Sequence, residues 1–366
     1  MTAIEVTEDL SLLDAALENV PDSPAVFVLW PKQGEPYLSK TARLRRRLLR
    51  LLKHRETPSR LLHLRHTVRR IEYRLTASRL ESSTLHYELA RSHFPETYLD
   101  IVRLRMPSYV KILVANPFPR SQVTTHLTRT GGLFFGPFSS RAAAERFEGQ
   151  FLDLFQIRRC QEDLEPSPLH PGCIYGEMAM CLRPCQQVVG PAEYAGEVER
   201  VTEFLNTGGH SLSDSIAHSR DRLSQEMNFE EAARQHKRFE KVQEVLKLRD
   251  DLAAALDRLH GVAITHSLSP GSVELWFVRS GDWQTPQRFS FDVRDAKPLS
   301  LDQQLRAAFG SVEARKLTVR ERQEYLALLA RWYYSSWRDG EWLGFDSWDD
   351  IPYRKLVHAI SRVARQ

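Results

Sequence analysis

The stretch AVFVLWPKQGEPYLSKTARLRRRLLRLL, residues 25–52, decides the fold at the start of the chain. Two apolar segments, 25–30 and 36–39, flank the turn-forming PKQGE and predict a β-hairpin. The residues that follow predict an amphipathic helix with arginines around an apolar face. That face consists of Leu44, Leu48, Leu51 and Leu52. Strand, turn, strand and helix together predict a small α/β domain.

Length and composition predict a soluble protein of two or three domains. The chain has 366 residues, of which 42% are apolar and 27% are charged. No apolar run approaches the ~18 residues of a membrane-spanning helix. The first twenty residues are acidic and lack the basic start of a signal peptide. We therefore expect a cytoplasmic protein that has no membrane partner.

Positive charge is concentrated in residues 40–74, although the net charge of the chain is only +4. This segment contains thirteen Lys or Arg residues and two Glu residues. A solvated helix face is one interpretation. The alternative is a phosphate-binding face, because guanidinium groups match phosphate geometry. We favour nucleic acid as the partner, bound through Arg43, Arg46, Arg50 and Lys53.

The four cysteines of the chain all lie in one segment that is rich in Pro and Gly. They are Cys160, Cys173, Cys181 and Cys185. A reducing compartment argues against two disulfides, and chance clustering of free thiols is the plain alternative. We favour a metal centre with four thiolate ligands. The absence of CxxC pairs and the presence of Pro184 favour an iron–sulfur cluster only mildly over zinc.

Further elements follow from the apolar pattern along the rest of the chain. The pattern predicts helices over residues 190–257, and the last two of these helices are joined tightly at 227–229. It predicts a three-stranded antiparallel meander over residues 260–292. The remaining tail is predicted to be helical. Its aromatic residues are assigned to a core rather than to base stacking. They are Trp332, Tyr333, Tyr334 and Trp337.

Taken in order, these segments resemble the UvrC family of bacterial nucleotide excision repair. VPDSPAVFVLW and PYLSKTARLRRRL resemble the start of its GIY-YIG nuclease domain, and GLFFGPFSSRAAAERF resembles its connector. MNFEEAARQHKRFEKV is similar to the UVR motif that binds the helicase UvrB. LHGVAITHSLSPGSVELWFVRSGDW is similar to the opening strands of the RNase H-like second nuclease domain.

The resemblance implies an α/β + α protein with four regions. These are a GIY-YIG nuclease-like domain at 15–104, a connector with the cysteine segment at 105–190, a UVR helical hairpin at 205–255, and a truncated RNase H-like region with a helical tail at 258–366. It implies that the four cysteines hold a [4Fe–4S] cluster. It also implies that a UvrB-like helicase binds the hairpin, whose apolar stripe otherwise packs within the chain. The residues assigned to that partner are Phe229, Ala232, Ala233 and Phe239.

The nuclease motif is only partly present. By resemblance, Tyr37 helps to activate water, and Lys40 and Arg47 steady the phosphate. The position of the Glu that holds Mg²⁺ or Mn²⁺ is His86, and neutral imidazole is a poor ligand for Mg²⁺. Glu81 or Glu88 would replace it only in a different helix register. Other motif positions also depart from the family pattern: Phe27, Ser39, Leu51 and Tyr98.

Two functions remain open at this point. The first is a UvrC-like endonuclease that incises DNA through an altered metal site. The second is an inactive module that binds DNA and recruits UvrB. The catalytic carboxylates of the RNase H-like half are expected on strands beyond the meander, and no helix–hairpin–helix module is recognised.

Overall fold

The computed structural model describes residues 1–6, 10–52, 62–130, 132–291 and 300–365. Within these residues the chain forms three antiparallel sheets and the helices that cover them. The predicted mixed α/β class is confirmed. None of the helices in the described residues has the length and apolar character needed to cross a membrane.

The first sheet has the strand order β1-β4-β2-β3 and contains the predicted hairpin. Its elements are β1 (Thr2–Glu5), α1 (Leu10–Glu18), β2 (Ala25–Pro31), β3 (Tyr37–Thr41), α2 (Leu44–Leu52), α3 (Leu62–Thr67), β4 (Val68–Leu75), α4 (Arg79–His93) and α5 (Tyr98–Val102). The hydroxyl of Ser78 caps α4 by accepting a hydrogen bond from the amide of Glu81.

Helices cover both faces of this sheet, and the strand register assigns each side chain to one face. Phe27 pairs with Ser39, and it packs in the same cluster as α1 and α2. Val26 pairs with Lys40, and it packs in the cluster that contains α4. Because alternate residues of a strand point to opposite faces, Tyr37 shares the α2 face and Lys40 shares the α4 face.

The second sheet has the order β6-β5-β7-β8 and packs against long helices. Its region contains β5 (Ser108–Ile112), β6 (Ser121–Thr124), β7 (Leu133–Phe138), α6 (Arg141–Leu152), α7 (Ile174–Glu177), α8 (Pro191–Asn206), α9 (His210–Gln225), α10 (Phe229–Lys247) and β8 (Ala254–Ala255). The predicted helix pair is therefore confirmed as α9 and α10. Asn228 caps α10 through a hydrogen bond from the amide of Glu231.

The third sheet has the order β11-β10-β9-β13, with β12 pairing to β10. Its region contains β9 (His260–His266), β10 (Ser272–Arg279), β11 (Asp282–Trp283), β12 (Gln287–Ser290), α11 (Leu301–Gly310), α12 (Val319–Tyr333), β13 (Glu341–Phe345) and α13 (Tyr353–Arg365). The predicted meander is confirmed. The prediction of an entirely helical tail is wrong, because β13 pairs antiparallel with β9, with Trp342 opposite Ala263.

Helix α12 lies at the centre of the molecule rather than in a peripheral tail. One hydrophobic cluster joins α12 to α4, to the second sheet and to the third sheet. Trp332 is buried in this cluster, and Tyr333, Tyr334 and Trp337 pack against it partly buried, as the sequence predicts. The carboxylate of Glu324 ties α12 to the first region. It accepts hydrogen bonds of 2.6 Å from the hydroxyls of both Tyr87 and Tyr98.

Candidate functional site

Helix α2 presents a basic face to solvent. Its four predicted apolar residues are all buried against the first sheet: Leu44, Leu48, Leu51 and Leu52. Arg43, Arg46 and Arg50 are exposed on the other side, and no carboxylate within the described parts of the chain pairs with their guanidinium groups. Lys53, the fourth residue predicted to bind DNA, lies outside the described residues. An amphipathic helix with unpaired arginines is a surface that can bind phosphates.

Two of the predicted nuclease residues meet on the α2 face of the sheet. The guanidinium of Arg47 donates a hydrogen bond of 3.2 Å to the hydroxyl of Tyr37. The ring of Tyr37 lies 6.2 Å from the ring of Phe27, which occupies the first motif position without a hydroxyl. The tyrosine–arginine pair is therefore assembled, and it lies beside the basic face of α2.

The other two predicted nuclease residues lie on the opposite face of the sheet. The ammonium group of Lys40 donates a 2.7 Å hydrogen bond to the hydroxyl of Ser83 on α4. Burial, followed by the positive charges of Arg331 and Arg79, lowers the pKa of Lys40 to about 8. Burial, followed by the charges of Lys40 and Arg331, lowers the pKa of His86 to about 4. At neutral pH His86 is therefore an uncharged imidazole beside cations.

The residues around His86 do not fit a hard divalent cation. The Glu81 carboxylate accepts a 2.7 Å hydrogen bond from the amide of Ala77, and Glu88 accepts one of 3.3 Å from Tyr325. Burial raises the pKa of both carboxyl groups. Both carboxylates are thus engaged by other groups, and no set of three His, Cys, Asp or Glu side chains in the described residues includes His86 as a metal ligand.

The four cysteines lie in an irregular segment between α6 and α8. All four are free thiols, with Cys181 and Cys185 buried and Cys160 and Cys173 half-buried. The amide of Arg183 donates a 3.4 Å hydrogen bond to the sulfur of Cys181. Backbone hydrogen bonds fix the segment, such as the 2.9 Å bond from the amide of residue 167 to the carbonyl of Cys185.

Electrostatics shows that the four thiols interact. Burial, together with the charges of the other three cysteines, raises the pKa of Cys181 to about 11, and the hydrogen bond from the amide of Arg183 opposes this shift. Burial, followed by Cys173 and Cys160, also raises the pKa of Cys185. Nevertheless, no three His, Cys, Asp or Glu side chains in the described part of the chain are grouped as metal ligands are.

A buried arginine stands beside the cysteine segment. Arg158 is 1% exposed, and its Nη2 atom has no hydrogen-bond partner in the described structure. Its Nη1 atom lies 3.4 Å from the sulfur of Cys160 and donates a 2.6 Å hydrogen bond to the carbonyl of Glu162. No carboxylate from the described residues pairs with this guanidinium. A buried cation of this kind is stabilised by an anionic neighbour, and the sulfur of Cys160 is the nearest candidate.

The helical hairpin exposes only part of its predicted apolar stripe. Ala232 is buried, and Phe239 is half-buried beneath the guanidinium of Arg220, 5.6 Å from the ring centroid. Phe229 remains 64% exposed, and Met227 beside it is 77% exposed. Ala233 is also exposed. The exposed apolar side chains of the hairpin are thus concentrated at its tip.

Several residues at these sites were missed by reasoning from sequence. Arg331 comes from α12 and lies near Lys40, and Arg158 is a buried residue in a basic RRC triplet. The proximity of Arg158 to Cys160 was available as a signal. Its burial was not, because it depends on contacts with Phe118 and Tyr194, which lie far along the chain.

Comparison with known proteins identifies the middle of the chain. Residues 108–204 match the family model described as UvrC/Cho excinuclease, middle domain, and this range includes all four cysteines. The chain is 28% identical over 273 residues to UvrABC system protein C of Moorella thermoacetica, covering 74% of this chain and 44% of that protein. The corresponding protein of Lachnospira eligens is 24% identical over 275 residues, again covering 74% and 44%.

A third relative gives a similar result. UvrABC system protein C of Rhodospirillum rubrum is 25% identical over 268 residues, covering 73% of this chain and 42% of that protein. No solved structure matches the chain. The chain spans about 44% of the length of the first curated relatives that it matches. It is therefore UvrC-like over about 74% of its length, and its residues 108–204 match the UvrC/Cho excinuclease middle domain.

Proposed function

We propose that this chain acts in nucleotide excision repair as a UvrC-like protein that binds DNA through the exposed face of α2. The observation that carries the proposal is the division of this helix into two faces. Its leucines are buried, whereas Arg43, Arg46 and Arg50 are exposed without carboxylate partners among the described residues. Binding of phosphates by such a face releases counterions and is therefore strongly dependent on salt.

The hairpin of α9 and α10 is proposed to recruit a UvrB-like helicase. The relatives are named as components of a UvrABC system, which motivates a partner of this kind. Phe229 and Met227 at the hairpin tip support the proposal, because large apolar side chains this exposed can be buried by a partner. The other apolar residues of the hairpin, such as Ala232, are buried and stabilise the chain itself.

The four cysteines are proposed to hold a [4Fe–4S] cluster, with Cys160, Cys173, Cys181 and Cys185 as ligands. When bound, the cluster supplies cross-links between parts of a segment that has little apolar core of its own. The segment lies between α6 and α8, so a fixed segment would stabilise the junction of the nuclease-like region with the hairpin. The buried charge of Arg158 supports an anionic occupant.

Incision by the nuclease-like domain is the second candidate function. The hydrogen bond between Arg47 and Tyr37 favours it, because these residues would hold a phosphate and activate water by family resemblance. The position of Lys40 on the other face of the sheet and the uncharged His86 argue against it. We therefore rank DNA binding without incision above incision.

The proposed DNA binding is tested with the double variant Arg43→Gln, Arg46→Gln. We expect the slope of log K against log salt for duplex DNA to decrease by about two, because each lost phosphate contact removes roughly 0.9. The exposed Arg146→Gln on α6 is the matched control. An unchanged slope in the double variant would refute the assignment of DNA binding to α2.

The choice between the two functions is tested by an incision assay. Anaerobically purified protein is mixed with labelled lesion-bearing duplex, with and without UvrA and UvrB, in Mg²⁺ and in Mn²⁺. A nick that disappears with Arg47→Ala would establish incision at this domain. DNA binding without a nick in either metal would establish a docking role.

A further inference from the structure

We propose that a cavity between β3, the first turn of α4 and the end of α12 binds a phosphate group without a metal ion. The cavity measures about 480 Å³. It is lined by side chains from both ends of the chain, among them Lys40, Arg79, Ser83, Arg331, Trp337 and Asp339. The inference rests on the proposed function only in taking nucleic acid as the source of the phosphate.

Three cations surround this cavity without a countercharge of their own. In the part of the chain that the structure describes, neither Lys40 nor the guanidinium groups of Arg79 and Arg331 form an ion pair with a carboxylate. Lys40 donates to a neutral hydroxyl, and Arg331 reaches only a backbone carbonyl at 3.5 Å. The mutual repulsion is visible at Lys40, whose pKa is lowered by burial and by both arginines. An anion in the cavity would relieve that repulsion.

The carboxylate that lines the cavity is already used to build it. One oxygen of Asp339 accepts a 2.6 Å hydrogen bond from the amide of Arg79, and the other accepts one of 2.9 Å from the indole of Trp332. The guanidinium of Arg79 lies 5.1 Å from the ring centroid of Trp337. The segment after α12 therefore holds Arg79 in the wall of the cavity, and no carboxylate of the described residues pairs with its guanidinium group.

The same groups exclude a divalent cation and favour phosphate. A metal ion would meet three positive charges and a single carboxylate, Asp339, whose two oxygens already accept hydrogen bonds. A phosphate would meet two guanidinium groups, an ammonium group and the hydroxyl of Ser83, which are the donors that phosphate prefers. The cavity lies on the α4 face of the sheet, so it is distinct from the basic face of α2.

The test uses the whole chain and two kinds of probe. Calorimetric titration with inorganic phosphate, in the absence of divalent metal, measures the cavity directly. We expect Arg331→Gln to weaken phosphate binding by about tenfold, the effect of losing one charge-assisted hydrogen bond. Arg331→Lys should restore much of the affinity, and the exposed Arg146→Gln on α6 should leave it unchanged. Because Arg331 is exposed, we expect each variant to keep the melting temperature of the parent chain.

The second probe distinguishes a terminal phosphate from an internal phosphodiester. Single-stranded thymidine oligonucleotides are compared with and without a 5′-phosphate. If the phosphorylated strand binds more tightly and Arg331→Gln removes this advantage, the cavity binds the phosphate at a strand end. If both strands bind equally and Arg331→Gln weakens both to the same extent, the cavity binds internal phosphates. The inference is overturned if the chain does not bind phosphate or binds it only with Mg²⁺ or Mn²⁺. It is also overturned if Arg331→Gln binds phosphate as tightly as the parent chain. The effect of the α2 variants on duplex binding tests only the proposed function, so the two claims can fail independently.

Discussion

His86 provides the most direct test of the packing around α4, because its charge state depends on burial and on the charges of Lys40 and Arg331. In the folded chain the pKa of His86 is lowered to about 4, from an ordinary value of 6.5. The unfolded chain therefore takes up a proton as the pH falls below 6.5, and the folded chain takes up none until the pH nears 4. Stability is lost across this window as the pH falls.

The size of this loss follows from the two pKa values. The full difference corresponds to roughly 3 kcal/mol, at about 1.4 kcal/mol for each pH unit. Between pH 7 and pH 5 the expected loss is about 2 kcal/mol, because the folded imidazole is still almost entirely neutral at pH 5. The variant His86→Gln cannot titrate and should not lose this contribution, while the carboxyl groups of Glu81 and Glu88 remain the same in both proteins.

The assay is urea unfolding followed by tryptophan fluorescence at pH 7 and pH 5. The parent chain should lose about 2 kcal/mol more than His86→Gln between these pH values. The exposed His126→Gln is the control and should follow the parent chain, because substitutions of exposed side chains usually change stability little. Equal pH dependence of His86→Gln and the parent would refute the buried, neutral His86 and would reopen this position as a ligand.

Three further predictions concern other parts of the molecule. Glu324→Ala should lower the free energy of unfolding by roughly 3–5 kcal/mol, because the buried hydroxyls of Tyr87 and Tyr98 lose their acceptor. A loss below about 1 kcal/mol in urea unfolding would contradict this. Arg158→Met should reduce the iron content and the visible absorbance after anaerobic reconstitution, because it removes the buried positive charge. Arg158→Lys keeps that charge and should be affected less. Full iron content in Arg158→Met would argue against Arg158 as the countercharge of a cluster. Phe229→Ala should leave the melting temperature unchanged and weaken binding to a UvrB-like helicase by about tenfold in calorimetry, and unchanged affinity would exclude the hairpin tip.

Local patterns in the sequence were sufficient for the elements that depend on near neighbours. The hairpin of β2 and β3 follows from its central turn, and the buried face of α2 follows from leucines at helical spacing. The α9–α10 pair follows from the capping residue Asn228. Each of these signals lies within a few residues of the structure that it produces, so no distant contact is needed to interpret it.

The division of the predicted nuclease residues was also accessible from sequence but was missed. Tyr37 and Lys40 are three positions apart on a strand, and side chains at odd spacing point to opposite faces. Their order along the motif suggested one site, whereas the pleat of the strand separates them. Arg47 joins Tyr37 because α2 packs on that face.

Only the tertiary structure determined what surrounds Lys40 and how the C-terminal region is built. The strand β13 forms by pairing with β9, about eighty residues earlier in the chain, and its pattern alone does not distinguish it from the helices beside it. Helix α12 brings Arg331 to Lys40, and Asp339 caps α4 from a position 260 residues away. These contacts depend on how three sheets pack around one helix, which is a property of the whole chain and not of any segment.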